Sequence, residues 1–389
     1  MNIVLLGASG SIGSQTLDVM KKNPNDFSLA AFSVGHRTRC ISSILKIHKN
    51  VTHVALISKK KAKYYQAKYP DIKFIALEDE SKNIVKIIDE TDAEMVVNAL
   101  VGFSGLYPSY YALKKDKILA LANKESLVVG GELLNRLLRE GKGKLYPIDS
   151  EHSALWKCLK VKNKNVEKLV LTASGGSFRN LKREELKNVT PSDALKHPTW
   201  KMGAKITIDS ATMINKCFEI IEAHYLFNYK LDKIDVVLHD ESYLHSYVVY
   251  SDMEKRGEIN KPDMRNPIKF ALYRGNISFE TTTFKDLKDF KKLHFHPFDE
   301  SRYPNVKPLA DLVINKKGLY GAALNASNEE TVYAFLNNEI SFLDIEEIIK
   351  EVLKNVKKTT SKLEIEDYIN ADKYYRQMAK KLIEERRKK

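Results

Sequence analysis

The chain opens on Ile3-Val4-Leu5-Leu6-Gly7-Ala8-Ser9-Gly10-Ser11-Ile12-Gly13, an apolar run that leads into three closely spaced glycines. The apolar run predicts a buried β-strand, and the spacing of apolar residues from Ile12 to Lys22 predicts a helix. Glycines in such a turn let the backbone approach a pyrophosphate, which then faces the free N–H groups of the helix N-terminus. An ordinary tight turn is the alternative, but the position between a strand and a helix favours a dinucleotide site. The expected contacts are Gly7, Ala8, Ser9, Gly10, Ser11 and Ile12.

Short apolar runs alternate with amphipathic segments through the first half of the chain. The predicted strands are Ile3–Leu6, Leu29–Val34, His53–Ile57, Glu94–Val97, Ile118–Ala122 and Lys144–Ile148. Strands that alternate with helices predict a doubly wound parallel sheet, here Rossmann-like because of the glycine loop. We therefore expect an α/β protein whose cofactor-binding domain spans residues 1–148.

The remainder of the chain divides into three further predicted regions. Residues 149–273 contain strand-like runs at Lys168–Ala173, Ile234–Leu238 and Tyr243–Tyr250, and they predict a central α/β catalytic domain. Residues 274–298 are polar and irregular, which is typical of a linker. Residues 299–389 have helical periodicity and predict a C-terminal α-helical domain. Its predicted helices are Leu309–Asn315, Asn328–Leu336, Phe342–Val356 and Asp372–Arg387.

Composition narrows the class of protein. Of 389 residues, 43% are hydrophobic and 29% are charged, which is typical of a globular protein and excludes a mainly disordered chain. No run approaches the about 18 apolar residues of a membrane helix. Because the first predicted strand begins at Ile3, we expect no signal peptide. Three scattered cysteines indicate a reducing, cytoplasmic compartment. The net charge of +14 could attract nucleic acid, but the basic residues are scattered and no nucleic-acid-binding motif is present.

The end of the second predicted strand bears on the choice of cofactor. An enzyme that uses NAD usually carries Asp or Glu near this point to bind the ribose 2′-hydroxyl. This chain has Gly35, His36 and Arg37 instead. Because a guanidinium suits a 2′-phosphate, the sequence favours NADPH, although Arg37 could also be a solvated residue at the start of a helix.

Two polar clusters follow later strands of the first predicted domain. Asp149-Ser150-Glu151 comes after the last strand, at the carboxyl edge where parallel sheets bind ligands. Its carboxylates suit Mg²⁺ or Mn²⁺, although an N-cap with a first-turn Glu would explain the same residues. Asn123-Lys124-Glu125-Ser126 follows the strand before it, and Lys124 is placed for an anionic substrate or a helix start.

Motifs in order along nearly the whole chain identify a family. The chain resembles the 1-deoxy-D-xylulose 5-phosphate reductoisomerases, which belong to the non-mevalonate route to isoprenoid precursors. The motifs that carry this resemblance are Gly7–Gly13, Leu121–Leu127, Ile148–His152, Ser174–Gly176, His197–Glu219, Pro262–Arg265 and Asn325–Glu329. It implies reduction and rearrangement of 1-deoxy-D-xylulose 5-phosphate to 2-C-methyl-D-erythritol 4-phosphate. It further implies NADPH, one divalent cation (Mg²⁺, Mn²⁺ or Co²⁺) and a homodimer.

The resemblance also implies roles for particular residues. Asp149, Glu151 and Glu219 would hold the cation, and together with Lys124 they form the expected catalytic set. The substrate phosphate would contact Ser174, Ser210, Asn215 and Lys216. Ser150, Lys124, His197 and His245 are further expected substrate contacts. His197–Gly203 resembles a mobile lid, with Trp200 over the sugar and Met202 beside it. Asn123, Glu125 and Gly203 are expected to complete the cofactor contacts.

Two departures from the family pattern leave questions for the structure. Cys217-Phe218 replaces the usual Gly-Leu beside Lys216, and Asp240-Glu241 replaces Pro-Gln near a substrate wall. Two other functions remain as alternatives at this point. An NADP dehydrogenase without rearrangement would not need the three acids, and a basic nucleic-acid-binding protein would not need the glycine loop.

Overall fold

A computed structural model describes residues 1–77, 81–160, 165–200, 202–359 and 361–388. The chain forms two compact units. The first unit comprises residues 1–126, 133–149 and 264–277, and the second comprises residues 127–132, 150–263 and 278–389. The predicted α/β fold, with a parallel sheet and a C-terminal helical region, is confirmed.

The first unit is built on a seven-stranded parallel sheet with the strand order β4-β3-β2-β1-β5-β6-β7. Its strands are β1 Asn2–Leu6, β2 Ser28–Val34, β3 His53–Leu56, β4 Lys73–Ala76, β5 Met95–Asn98, β6 Ile118–Leu121 and β7 Lys144–Pro147. Ile3, Leu5, Phe32 and Val97 are fully buried in its core. The predicted strands are present within two residues at each end, and β4 was not predicted.

Helices of the first unit connect these strands. They are α1 Ser11–Lys22, α2 Ile41–Ile47, α3 Lys59–Lys68, α4 Lys86–Asp89, α5 Leu106–Lys114 and α6 Lys124–Arg139. Because all seven strands are parallel, their carboxyl ends lie at one edge of the sheet. Gly7, Gly35, Asn123 and Asp149 follow β1, β2, β6 and β7 at this edge.

The second unit contains a six-stranded sheet with the order β12-β11-β10-β8-β9-β13. Its strands are β8 Val166–Ala173, β9 Ile234–His239, β10 Leu244–Tyr250, β11 Lys255–Ile259, β12 Thr282–Phe284 and β13 Phe295–Pro297. β8 and β9 are parallel, and the other pairs are antiparallel. The helices of this unit before β9 are α7 Ser150–Leu159, α8 Pro191–Ala194, α9 Ala204–Ala211 and α10 Ile214–Phe227. The helix that follows β11 in the chain, α11 Arg265–Leu272, belongs to the first unit.

The region expected to be a linker has a different structure. Residues 274–298 contribute β12 and β13 to the second sheet, where they pair with β11 and β9. Each is a three-residue edge strand with exposed residues, so it leaves no apolar alternation in the sequence. Residues 264–277 pack within the first unit, where Ile268 and Leu272 of α11 join the core.

The C-terminal helices end the second unit. They are α12 Val306–Asp311, which continues as a π-helix over Leu312–Lys316, α13 Tyr320–Leu336, α14 Phe342–Lys354 and α15 Ile365–Arg387. α13 starts eight residues before the predicted Asn328, because its first half is buried on nearly every side and has no amphipathic period. Among the residues described, no helix has both the length and the apolar character needed to cross a membrane.

Candidate active site

The glycine loop of the first unit is as compact as a phosphate-binding turn requires. Gly7 has a φ of +86°, and a Cβ there would lie 2.6 Å from the carbonyl oxygen of Ala99. A Cβ on Gly13 would lie 2.2 Å from the carbonyl oxygen of Gly7. α1 starts at Ser11, and Gly10 supplies no side-chain cap for its first N–H groups. These groups are therefore suited to an anion at the helix N-terminus.

Basic groups surround the carboxyl end of β2. His36 and Arg37 are exposed immediately after the strand. Lys61 of α3 donates from Nζ to the carbonyl oxygen of His36 at 3.4 Å, so a second cation contacts this loop. The sequence analysis did not identify Lys61, because a lysine in the run Lys59-Lys60-Lys61 resembles an ordinary solvated helix face.

Asn123 and Glu125 are buried at the start of α6. The Asn123 side chain caps the helix by accepting from the N–H of Ser126 at 3.0 Å, and its Nδ2 donates to Leu100 O and Gly102 O at 3.1 and 2.9 Å. The same Nδ2 lies 3.0 Å from Glu125 Oε2. The hydrogen bonds of Asn123 thus hold the loop after β5 against the start of α6, and Glu125 contacts the same amide group.

Lys124 lies close to Asp149 within the first unit. Its Nζ is 2.5 Å from Asp149 Oδ2, and both side chains are largely buried. The ammonium group therefore compensates the charge of the carboxylate that directly precedes Ser150.

In the second unit, two predicted metal ligands lie together. Carboxylate oxygens of Glu151, on α7, and Glu219, on α10, are within 4.8 Å of each other. The ammonium of Lys216 contacts Glu219 Oε2, lies 3.3 Å from Glu151 Oε1, and donates to Thr172 O at 2.6 Å. The contact between Lys216 and Glu219 follows from the geometry of α10, since residues three apart in a helix lie on the same face.

Two more predicted substrate contacts surround this carboxylate pair. Asn215 Nδ2 donates to Glu219 Oε1, and Ser150 Oγ donates to Glu151 Oε2 at 2.6 Å. Asn215 and Lys216 therefore contact the carboxylates, whereas the resemblance assigns both residues to the substrate phosphate.

A second cluster is centred on His197. Its Nε2 is 3.0 Å from Ser174 Oγ and 3.3 Å from Ser210 Oγ. Its Nδ1 accepts from the backbone N–H groups of Thr199 and Trp200 at 3.2 and 3.0 Å. Because Nδ1 is an acceptor in both bonds, the hydrogen of the neutral ring is on Nε2 and points at the two hydroxyls.

A glycine brings the two serines of this cluster together. Gly176 has a φ of +71°, and a Cβ there would lie 2.5 Å from the carbonyl oxygen of Ser210. The loop after β8 can therefore lie against the end of α9 only with glycine at this position.

His197 is electrically neutral in this setting. Burial, together with the positive charge of Arg179, lowers the pKa of His197 to about 4. The ring thus remains a hydrogen-bond donor through Nε2 rather than a cation at neutral pH. Arg179 was not predicted as a site residue, and it also donates to Asp240 O at 3.1 Å.

The predicted lid begins at His197 itself and continues through Trp200, Met202 and Gly203. The Trp200 and His245 rings are 6.3 Å apart, and burial lowers the pKa of His245. Met202 is partly buried and Gly203 is exposed. Lys201, which the predicted lid includes, is outside the described residues.

The two departures from the family pattern have simple structural outcomes. Cys217 is fully buried, and burial raises the pKa of its thiol, so the group is a packing residue without a reactive thiolate. Glu241 Oε1 lies 2.6 Å from His294 Nδ1, and Asp240 Oδ2 lies 3.4 Å from His296 Nε2. Both acids thus contact histidines at the β13 edge of the sheet.

The folds and clusters described above define an α/β protein with a dinucleotide-type loop in one unit and a carboxylate and serine–histidine site in the other. Comparisons with known proteins identify its family. Three family models match: 1-deoxy-D-xylulose 5-phosphate reductoisomerase over residues 3–131, its C-terminal domain over residues 145–227, and a further C-terminal domain of DXP reductoisomerase over residues 259–378.

Relatives of this family match nearly the whole chain. The 1-deoxy-D-xylulose 5-phosphate reductoisomerase of Halalkalibacterium halodurans is 41% identical, over 98% of this chain and 99% of its own. The Geobacillus enzyme of the same name is 43% identical over 90% and 92%. The chain belongs to the 1-deoxy-D-xylulose 5-phosphate reductoisomerase family.

Solved structures of the family have the same fold. The Zymomonas mobilis reductoisomerase in complex with NADPH has a TM-score of 0.85 and 33% identity, over 98% of this chain and 99% of its own. A reductoisomerase in complex with NADPH, fosmidomycin and magnesium has a TM-score of 0.87 and 31% identity, over 99% and 98%.

Proposed function

We propose that this chain converts 1-deoxy-D-xylulose 5-phosphate to 2-C-methyl-D-erythritol 4-phosphate with NADPH and a divalent cation. The observation that carries the proposal is the Glu151–Glu219 pair in a chain of this family. A dehydrogenase that only moved a hydride would not need this pair of neighbouring acids. The family structures in complex with NADPH and magnesium support the same cofactors here.

The candidate cation site has the donor chemistry that a hard ion requires. Glu151 and Glu219 offer carboxylate oxygens within 4.8 Å, and Asp149 comes two residues before Glu151 in the chain. Oxygen donors of this kind suit Mg²⁺, and they also accommodate Mn²⁺ or Co²⁺. We propose Asp149, Glu151 and Glu219 as the ligands.

The chain's own residues would bind and orient the substrate. Ser174, Ser210 and the Nε2–H of His197 supply converging donors, which suit a phosphate group. Lys216 and Asn215 keep the carboxylates in place, and Trp200 would cover the sugar and exclude water. When bound, the cation would polarise substrate oxygens and NADPH would supply the hydride.

NADPH oxidation with the purified protein tests this function. We expect consumption of NADPH only when both 1-deoxy-D-xylulose 5-phosphate and Mg²⁺ are present, and loss of activity with a chelator. Analysis of the product should give the branched polyol phosphate. Activity that ignores the chelator would contradict the proposal and favour a simple dehydrogenase.

Arg37→Asp is expected to shift the cofactor preference away from NADPH. The change replaces a partner of the 2′-phosphate with a repelling charge, and loss of one charge-assisted hydrogen bond costs about 1.5–3 kcal/mol. The measurement is kcat/KM for NADPH relative to NADH. Arg39→Asp is the matched control, because Arg39 lies two residues away and is also exposed. An unchanged ratio in Arg37→Asp would remove Arg37 from the cofactor site.

Trp200→Ala is expected to lower kcat/KM by roughly 10-fold, about 1.4 kcal/mol, and to leave NADPH binding intact. A lid completes its pocket only when substrate is present. Hydrogen exchange over residues 196–203 should therefore slow when substrate or a phosphonohydroxamate binds. Equal protection with and without the ligand would show that the segment has only a structural role.

We also propose a cytoplasmic homodimer. Free thiols at Cys40, Cys158 and Cys217 are consistent with a reducing compartment. The dimer rests on the family resemblance. Analytical ultracentrifugation tests it, and a monomer at micromolar concentration would contradict it.

A further inference from the structure

A buried contact joins the C-terminal helices to the end of α9. Asn328, on α13, is fully buried, and its Nδ2 donates to Asp209 Oδ1 at 2.8 Å. Asp209 is 2% exposed and directly precedes Ser210 on α9. The hydrogen bond thus links a helix far along the chain to the residue beside a proposed phosphate contact.

The Asp209 carboxylate is held from two directions. Lys205 Nζ, one helical turn earlier on α9, lies 2.9 Å from Oδ2, while Asn328 binds Oδ1. The Lys205 contact lies within α9 and cannot position this helix relative to its surroundings. The Asn328 contact can, because it comes from another helix. Loss of a hydrogen-bond donor from a buried carboxylate costs folding free energy. The hydrogen bond between Asn328 and Asp209 therefore opposes rotation or sliding of α9.

The orientation of α9 matters for the His197 cluster. Ser210 Oγ lies 3.3 Å from His197 Nε2, and the carbonyl of Ser210 is packed against Gly176. A small rotation of α9 would move this hydroxyl away from the other donors. We propose that Asn328 is a positioning residue for the phosphate pocket, acting through Asp209 on Ser210. This inference rests on the proposed function, in which Ser210 binds the substrate phosphate.

Two Asn328 variants and one control test the contact. Asn328→Asp has the same size but replaces the donor with a carboxylate facing Asp209, and Asn328→Leu removes the donor without adding charge. Thr331→Val is the control, because Thr331 is fully buried on the same helix and its hydroxyl bonds only to carbonyls of that helix among the described residues. Each protein is assayed for KM, kcat, inhibition by inorganic phosphate, NADPH affinity and thermal unfolding.

We expect both Asn328 variants to raise KM and the inhibition constant of inorganic phosphate together, by about 5- to 20-fold, with NADPH affinity unchanged. Thr331→Val should change neither constant. Lower thermal stability with unchanged phosphate inhibition would overturn the inference, as would equal weakening of phosphate and NADPH binding.

Ser210→Ala separates this inference from the function on which it rests. If Ser210→Ala weakens phosphate inhibition and the Asn328 variants do not, the positioning role alone is contradicted. If Ser210→Ala has no effect, the proposed phosphate pocket is itself contradicted.

Discussion

Glu219→Gln is expected to abolish most turnover while the fold is kept. Glutamine has the same shape, but it replaces one anionic oxygen ligand with a neutral amide. Loss of a partner outside the coordination sphere already costs metal sites 10- to 100-fold, so loss of a direct ligand should weaken Mn²⁺ binding at least about 100-fold. The measurements are Mn²⁺ affinity, kcat and thermal unfolding.

Glu222→Gln provides a matched control for this change. Glu222 is on the same helix, one turn later, and is also almost fully buried. Its Oε2 lies 3.4 Å from His152 Nδ1, so Glu222 and His152 are a second arrangement of potential ligands in the second unit. We expect Glu222→Gln to retain Mn²⁺ affinity within about 10-fold, the lower end of the cost for an outer partner. If Glu222→Gln weakened Mn²⁺ binding more than Glu219→Gln does, the cation would be assigned to Glu222 instead of Glu219.

The fold could be predicted where burial leaves a pattern in the sequence. β1 and α1 are marked by an apolar run, a glycine turn and a helical period, and all three are in the structure. β12 and β13 are three-residue edge strands whose residues are mostly exposed, so no alternation marks them. The return of α11 to the first unit depends on packing between distant segments, which a local pattern does not encode.

The site could be predicted in its residue types and less well in its contacts. The resemblance identified Ser174, His197 and Ser210, which the structure brings together. It assigned Lys216 to the phosphate, although the three-residue spacing from Glu219 already indicated a shared helix face. The contact with Thr172 involves a backbone carbonyl, which has no signal in the sequence.

Asn328 shows a further limit of sequence analysis. The motif Asn325–Glu329 helped to identify the family. The hydrogen bond made by its Asn328, however, is to a helix more than 100 residues away in the chain. Nothing local to the motif indicates that its amide meets Asp209. Only the fold reveals that contact.

Lys216→Met is expected to lower kcat/KM by roughly 10- to 200-fold, the equivalent of one charge-assisted hydrogen bond. It should also destabilise the metal-free protein. The ammonium lies against the buried carboxylate of Glu219 and the partly exposed carboxylate of Glu151. Removal of one partner from a buried ion pair, here Lys216–Glu219, costs about 3–5 kcal/mol. Mn²⁺ supplies positive charge to the same oxygens. We therefore expect Mn²⁺ to raise the unfolding temperature of the variant more than that of the unaltered protein.

Lys157→Met is the matched control for this effect. Lys157 forms a buried pair with Glu258 in the same unit, so its removal should be comparably destabilising. Because that pair is not the proposed cation site, Mn²⁺ should give Lys157→Met no extra stabilisation. The dephosphorylated sugar then separates two roles of Lys216. Since the ammonium contacts the carboxylates, we expect a similar loss of kcat/KM with and without the substrate phosphate. A loss confined to the phosphorylated substrate, together with no extra stabilisation by Mn²⁺, would instead assign Lys216 to the phosphate.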